Sequence, residues 1–447
     1  MANYNSGQVK FGTPGEVIDS TIPSRRLYDF SDRVADLAPE ESPFFVYLSK
    51  VAKVPTSDSQ FRFLEDRTKI AMTDRSFKID GGQTLAAAGS NTTLQVDDGA
   101  SSPGPVNWLI KGMVVQFAQN INEGADVEAI TQATGRIESV THGASDSSIV
   151  VKTIEASSGS TTTLDDDGDC VVIGSSYAEG SGSPDVFSQE LDNGFGYTQI
   201  FKTACEMSNT ARATQYRGYA DEWQRIWNLK LREHKIDIER AMLFGMKGSQ
   251  GGIQYSDGIV GHIIKNGGTP QDDGTIGAYS EGLPYLASYS AAQLTYDGLL
   301  SAFEVMFDPA RGGSLAKLCL ASLPVVSHFN KLGGFMDNSL SGVQNYNFES
   351  SQGAFGHKVM RIETVHGDVS IVKEPLFRNN ASGHMCFVDL DNVSYRPLVG
   401  NGLNRDTAIQ TNVQAADEDL RKDMILTEAG LEVSLPESHA LINLEGA

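Results

Sequence analysis

The stretch LREHKIDIERAMLFG, Leu231 to Gly245, decides between two kinds of protein. Read for chemistry, Glu233, His234 and Asp237 form a candidate metal or acid–base cluster. Read for structure, they belong to one segment of a long charged helix. On a helical wheel Trp223, Trp227, Leu231, His234, Ile238 and Ala241 share one face. His234 thus falls in an apolar stripe, where a buried, hydrogen-bonded imidazole is the ordinary outcome. Leu229, Ile236 and Leu243 form a second stripe opposite, so the helix is expected to be covered on two faces. The carboxylates between the stripes have basic residues one turn away: Asp221 with Arg225, Lys235 with Glu239, Asp237 with Arg240, Glu233 with Lys230. Ser208 and Thr210 are capping candidates at the start and Gly245 marks the end, with Gly218 a weak point in the first half. A helix of about 30 residues and about 45 Å is predicted.

The remaining sequence offers no sharper chemistry. The eight histidines are His142, His234, His262, His328, His357, His366, His384 and His439, and none lies within a helical turn of another. That spacing excludes the HExxH and HxxxH zinc patterns. DDDGD, Asp165 to Asp169, fails as a calcium loop, because the twelfth position is Gly174 where a glutamate is required. It reads as a solvated turn. NGFG at Asn193 and GGFMDNSLSG at Gly333 also read as turns, since neither matches a phosphate-binding glycine motif. There is no GxSxG elbow. No catalytic, cofactor-binding or metal-ligating residue is assigned, and no cofactor is expected.

Composition narrows the class. The chain carries 57 Asp+Glu against 35 Lys+Arg, net −22, which repels phosphate polyanions at long range and argues against a dedicated nucleic-acid reader. It still suits a wall that faces nucleic acid without adhering to it. With 40% hydrophobic and 21% charged residues in 447, the chain is long enough for several folded domains. Apolar runs such as VVIG at Val171 and AMLF at Ala241 are too short to span a bilayer. MANYNSGQVKFG lacks the apolar core of a secretory signal. Cys170, Cys205, Cys319 and Cys386 are widely spaced and read as free thiols.

Along the chain, residues 1 to about 24 read as an extended arm. PEESPFFVYLSK carries a helix signal, with Ser42 as cap, Pro43 first, and Phe44, Phe45 and Leu48 on an apolar side. SQFRFLEDRTKI alternates as a strand. A boundary at Gly81-Gly82 and AAAGSNTT opens a run of short β segments to about Ser183, separated by turn clusters: a small all-β module. PDVFSQELDNGFGYTQIFKTACEMS returns as strand and leads into the long helix. TYDGLLSAFEVMF and PVVSHFNKL read as helices; LAKLCLAS, HKVMRIETV, VSIVKE and HMCFVDL read as strands. DMILTEAGLEVSLPESHALINL reads as a terminal hairpin. Arms and two-stranded ribbons lack a core of their own and gain stability by lying on a neighbour, which points to an assembling protein.

Three segments carry a family resemblance. ADLAPEESPFFVYLSK (Ala35 to Lys50), GYTQIFKTACEMSNTA (Gly196 to Ala211) with EHKIDIERAMLFG (Glu233 to Gly245), and TEAGLEV with HALINL near the C-terminus occur in this order. The pattern resembles the major capsid proteins of tailed bacteriophages, with the Hong-Kong-97-type fold. The resemblance implies an α+β chain with an N-terminal arm at 1–25, a peripheral-domain start at 26–54 and an extended β loop at 55–92 and 185–207. It further implies an inserted all-β domain at 93–184, a peripheral domain with a spine helix at 208–289, an axial domain at 290–390, and a return to the periphery at 391–447. The insertion departs from the minimal fold. The implied function is a shell protein that self-assembles as pentamers and hexamers around double-stranded DNA in the virion, after assembly in the bacterial cytoplasm. Implied partners are itself, portal and separate scaffolding proteins, decoration proteins, and DNA by non-specific proximity, with no membrane. An encapsulin-like compartment shell is the nearest alternative. A multidomain hydrolase with a β accessory module is the alternative from another class, and it needs converging acids that the sequence does not display.

Overall fold

The computed structural model describes residues 44, 45, 48, 53–66, 75–98, 104–117, 133–143, 146–155, 161–164, 166, 168–186, 190–216, 221–267, 284–308, 311, 313–337, 348–354 and 357–446. The expected arm at 1–25 and the caps Ser42 and Pro43 lie outside these residues. Phe44, Phe45 and Leu48 are helical, with Phe44 and Leu48 fully buried.

The centre of the fold is a seven-stranded mixed sheet, ordered Tyr285–Ser290, Ala440–Glu445, His384–Val388, Ala316–Ala321, Asp368–Lys373, His357–Glu363, Phe348–Ala354. Strand Ala316–Ala321 is buried on both faces, the mark of a central strand between two layers. Leu318 and Leu320 enter one core with Ile238 and Met242. Cys319 and Ala321 enter a second core with Phe303 and Phe329. A four-stranded antiparallel sheet lies beside it. Leu420–Val433 pairs with Gln199–Ser208 on one side, and with Val393–Pro397 and Ala408–Gln410 on the other.

The described helices are α1 (Asn209–Ala213), α2 (Glu222–Phe244), α3 (Ile259–Asn266), α4 (Tyr296–Met306) and α5 (Leu323–Asp337). The single helix expected near 211–245 is therefore divided. Thr214 is extended and ends α1, and Asp221 starts α2 by accepting from the N–H groups of Trp223 and Gln224 at 3.0 and 3.2 Å. That capping role takes Asp221 out of the expected pair with Arg225, which instead pairs with Glu222 at 2.5 Å. Lys230–Glu233 and Asp237–Arg240 pair as expected, at 2.7 and 3.6 Å. Glu239 is not a partner for Lys235, because its side chain is buried in the core.

A closed six-stranded barrel has its own core of Phe77, Ile79, Leu94, Val115, Phe117, Ile149 and Val151. Its strands, in spatial order, are Ser76–Ile79, Asn91–Asp97, Ser147–Glu155, Ala133–His142, Met113–Phe117 and Asp169–Ser175. Ser76–Ile79 closes the barrel against Asp169–Ser175, so the module starts upstream of the break at Gly81-Gly82. The boundary near 93 cuts inside it.

Three further expectations change. NGFG is strand, within Asp192–Tyr197, where Gly194 and Gly196 lie against the rings of Phe63 and Phe61. Gly333 to Asp337 of GGFMDNSLSG continue α5. The terminal hairpin does not form: Leu420–Val433 and Ala440–Glu445 belong to different sheets. Leu435, at φ 47°, and the 3₁₀ turn Pro436–Ser438 redirect the chain between them.

Candidate functional site

Gln60–Glu65 and Asp192–Tyr197 form a two-stranded antiparallel ribbon. Alternation along it separates two faces. Phe61 is buried against the body, beneath the Arg396 guanidinium at 5.8 Å, and Glu65 accepts from the Leu435 N–H at 3.1 Å. The glycines opposite Phe61 and Phe63 are a packing requirement: a Cβ on Gly196 would stand 2.5 Å from the Phe61 ring. The other face carries Leu64, Phe195 and Tyr197, with Leu64 67% and Phe195 39% exposed. The Lys247 ammonium lies 4.8 Å from the Phe195 ring centre. Gln60, Arg62 and Asn193 share this face, so it is a mixed surface whose exposed apolar side chains, Leu64 and Phe195, the single chain leaves open.

Helix α2 shows the same incompleteness. Its buried residues are His234, Ile238, Glu239, Met242 and Leu243, all in the C-terminal half. In the N-terminal half Trp223, Ile226, Trp227 and Leu231 are half-buried, and Leu229 is 41% exposed. The second stripe is thus covered at Leu243 but open at Leu229. Arg421 reaches over Trp223, its guanidinium 4.7 Å from the ring.

The candidate cluster of the opening stretch separates in space. Glu233 and Asp237 are exposed, while His234 is 1% exposed. His234 Nδ1 is 2.9 Å from Thr203 Oγ1 and Nε2 is 2.8 Å from Thr427 Oγ1. Burial lowers its pKa, so the ring is neutral, donating from one nitrogen and accepting at the other. The stripe position fits this placement, since the imidazole bridges two strands of the sheet beneath α2.

Two buried polar groupings escaped the sequence reading. Glu239 and Glu374 are both fully buried; Phe44 N–H donates to Glu239 Oε1 at 2.9 Å, Leu376 N–H donates to Glu374 Oε1 at 3.1 Å, and burial, then the Glu374 charge, pushes the Glu239 pKa up to about 10. The wheel held a signal, because Glu239 lies on the side of Met242 and Leu243, but nothing linked it to a residue 135 positions on, since 374 − 239 = 135. The second grouping surrounds His439. Its Nδ1 accepts from Asp389 N–H at 3.1 Å, and Lys317 Nζ donates to the Ser438 carbonyl at 2.7 Å. Burial first, then the Lys317 charge, lowers the His439 pKa to about 3.

Asp166, in the acidic turn, accepts from Gly81 N–H at 2.7 Å; Asp165 and Asp167 lie outside the described residues. The cysteines are free and buried. Among the described residues no group of three His, Cys, Asp or Glu side chains is placed to hold a metal ion, and no helix is long and apolar enough to cross a membrane.

Comparison of the whole fold with solved structures finds the capsid of a native GTA particle, with TM-score 0.44 and 9% identity over 96% of this chain and 99% of the other. A structure from Microbacterium phage Oxtober96 aligns with TM-score 0.43 and 10% identity over 94% and 96%. The capsid of cyanophage A-1(L) aligns with TM-score 0.44 and 11% identity over 94% and 98%. No curated protein matches the sequence. The sequence pattern of the SU10 major capsid protein family, by contrast, matches residues 6–445, nearly the whole chain. The chain belongs to that family, and it is a capsid shell protein.

Proposed function

We propose that this protein forms the icosahedral head of a tailed bacteriophage, assembling as pentamers and hexamers around double-stranded DNA. The observation that carries the reading is the apolar side chains left open within one chain at two places: Leu64 and Phe195 on the ribbon, and the N-terminal half of α2. In an assembly the ribbon face would lie on an adjacent subunit, which supplies the cover that a two-stranded element needs. In this layout α2 is the spine of a peripheral domain, residues 290–390 with α4 and α5 are the axial domain, and the barrel is an insertion on the extended loop. Portal, separate scaffolding and decoration proteins are the expected partners, and assembly takes place in the host cytoplasm. The net charge of −22 fits a wall that holds DNA without binding it.

Electron microscopy of the expressed protein tests this reading. Closed particles with five-fold and six-fold capsomers are expected. The double variant Leu64→Asp, Phe195→Asp should keep the far-ultraviolet dichroism of the parent and lose most assembly. Undiminished assembly in that variant would remove the ribbon from the interface. A parent that stays monomeric would overturn the shell geometry.

A further inference from the structure

The chain holds three Asn-Gly dipeptides: Asn193-Gly194, Asn266-Gly267 and Asn401-Gly402. Such a pair can close on itself, because glycine has no side chain to keep its amide nitrogen from the asparagine Cγ. What holds the two residues decides whether it does. Asn193 and Gly194 pair with Leu64 and Phe63 in the ribbon, and a Cβ on Gly194 would run into the Phe63 ring. At the end of α3, Gly267 N–H donates to the Ile263 carbonyl at 2.7 Å and Asn266 Nδ2 donates to the His262 carbonyl at 3.0 Å. Nucleophile and leaving group are both engaged there. Asn401 and Gly402 are held differently. They are the central residues of a hairpin in which Gly400 pairs with Leu403 and Val399 with Asn404. Their φ angles of 51° and 79° make a two-residue turn of the mirror-image type. The Leu403 N–H closes such a turn, and the Gly402 N–H takes no part in it. Both residues are exposed, and among the described residues nothing beyond its chain neighbours lies within 4 Å of a Cβ built on Gly402. The base of the hairpin is fixed, with Arg405 N–H on the Leu398 carbonyl at 3.1 Å and Leu398 N–H on the Glu428 carbonyl at 3.0 Å.

We propose that Asn401 is a site of spontaneous deamidation, which converts the hairpin tip to aspartate and isoaspartate while the other two Asn-Gly pairs are protected by the fold. Solvent base takes the Gly402 amide proton, and the nitrogen attacks Asn401 Cγ. A C–N bond forms, the Cγ–Nδ2 bond breaks, and the side-chain nitrogen takes a proton from solvent and leaves as ammonia. The product is a cyclic imide. Water then opens it at one of two carbonyls. Opening at Cγ leaves aspartate, and opening at the backbone carbonyl leaves isoaspartate, with the chain running through the side chain. Only water and its ions are consumed. The attack requires Asn401 to leave its left-handed conformation. That local opening disrupts the turn and the two pairs beside it, while the bonds at the hairpin base persist. Either product adds a negative charge to a chain of net −22. Isoaspartate also lengthens the backbone by one carbon, which a two-residue turn cannot absorb with its pairing kept. Every copy in a shell carries the same tip, so the charge of the shell drifts with age.

Peptide mass spectrometry of the full chain, incubated at mildly alkaline pH and sampled over time, tests the site. Conversion of amide to acid is followed separately at Asn193, Asn266 and Asn401, once in the folded chain and once in urea. Unfolded, the three sites share the same glycine neighbour and should convert at similar rates. Folded, Asn401 should convert at least about tenfold faster than Asn193 and Asn266, because only its turn opens without breaking a strand pairing in the ribbon or a helix end. Isoaspartyl methyltransferase labelling of the aged chain should appear at residue 401 and disappear in Asn401→Gln, whose longer side chain closes the ring far more slowly. A folded-chain rate at Asn401 no greater than that at either other site would overturn the proposal. So would isoaspartate labelling that is undiminished in Asn401→Gln.

Discussion

His234 Nε2 lies 2.8 Å from Thr427 Oγ1, so the middle of α2 is tied by hydrogen bond to the long strand Leu420–Val433. The other ring nitrogen is held by Thr203 on the neighbouring strand. One imidazole thus fixes the helix over a strand pair in a single position. His234→Ala would remove both contacts and leave a void beside the buried Thr427 and half-buried Thr203 hydroxyls. It should lower unfolding stability by about 2–4 kcal/mol. Urea denaturation of unassembled protein measures this. Loss of a metal-dependent activity in the same variant would instead restore the acid–base reading of the stretch.

His439 predicts an acid sensitivity with a definite sign. Its folded-state pKa is depressed from 6.5 to about 3, so the native ring stays neutral where an unfolded chain would bind a proton. The stabilisation is complete above the unfolded value and is lost as pH falls toward the folded one. The slope from this group is about 1.4 kcal/mol per pH unit. His439→Gln should flatten that part of the stability–pH curve between these two values. An unchanged curve would mean that the ring is not neutral in the native protein.

Gly430 sits on the long strand where the ribbon meets the body. A Cβ there would fall inside 3.0 Å of both the Tyr197 carbonyl oxygen and the Phe61 ring. Because one obstacle is backbone, little can give way. Gly430→Ala should cost about 1–3 kcal/mol and shift the ribbon. Thermal melting and exchange protection of residues 60–65 would report the two effects separately.

The barrel gives a prediction about cut points. Excising 95–182 would leave Ser76–Ile79 without its partner Asp169–Ser175 and would truncate Asn91–Asp97, exposing Phe77 and Ile79. That product should aggregate. Excising 76–175 removes the barrel whole, and Val172 N–H bonds to the Arg75 carbonyl at 2.9 Å, so the chain enters and leaves close together. With a short Gly/Ser linker this second product should stay soluble and keep the seven-stranded sheet, as sedimentation and circular dichroism would show. Aggregation of both products would mean that the barrel supports the rest of the fold.

Much of this architecture was legible because local pattern and tertiary environment agree. LAKLCLAS and HMCFVDL hold the apolar runs Leu318 to Ala321 and Met385 to Val388, which form doubly covered strands at the centre of the large sheet. The C-terminal half of α2 follows its apolar stripe into the core. The errors share a cause, which is that the deciding partner lies outside the local pattern. Asp221 looked like an ion-pair residue, but its side chain turns back on its own helix start. Glu239 looked like a solvated flank residue, but its side chain is fully buried and accepts from Phe44 N–H. The glycines of NGFG looked like a turn because the facing rings of Phe61 and Phe63 are more than a hundred residues upstream. The tail looked like a hairpin because two strand patterns in succession pair in most folds. The left-handed Leu435 sends the second one elsewhere.

Strand Ala440–Glu445 lies between Tyr285–Ser290 and His384–Val388, bonded to both. Translation delivers it long after either neighbour, so the large sheet stays split at that seam while the intervening chain is being made. Until Ala440–Glu445 is in place, the edges of both neighbours that face it are unpaired, and the two cores it enters through Leu441 and Ile442 are incomplete. Six residues thus join two parts of the sheet that are distant in sequence.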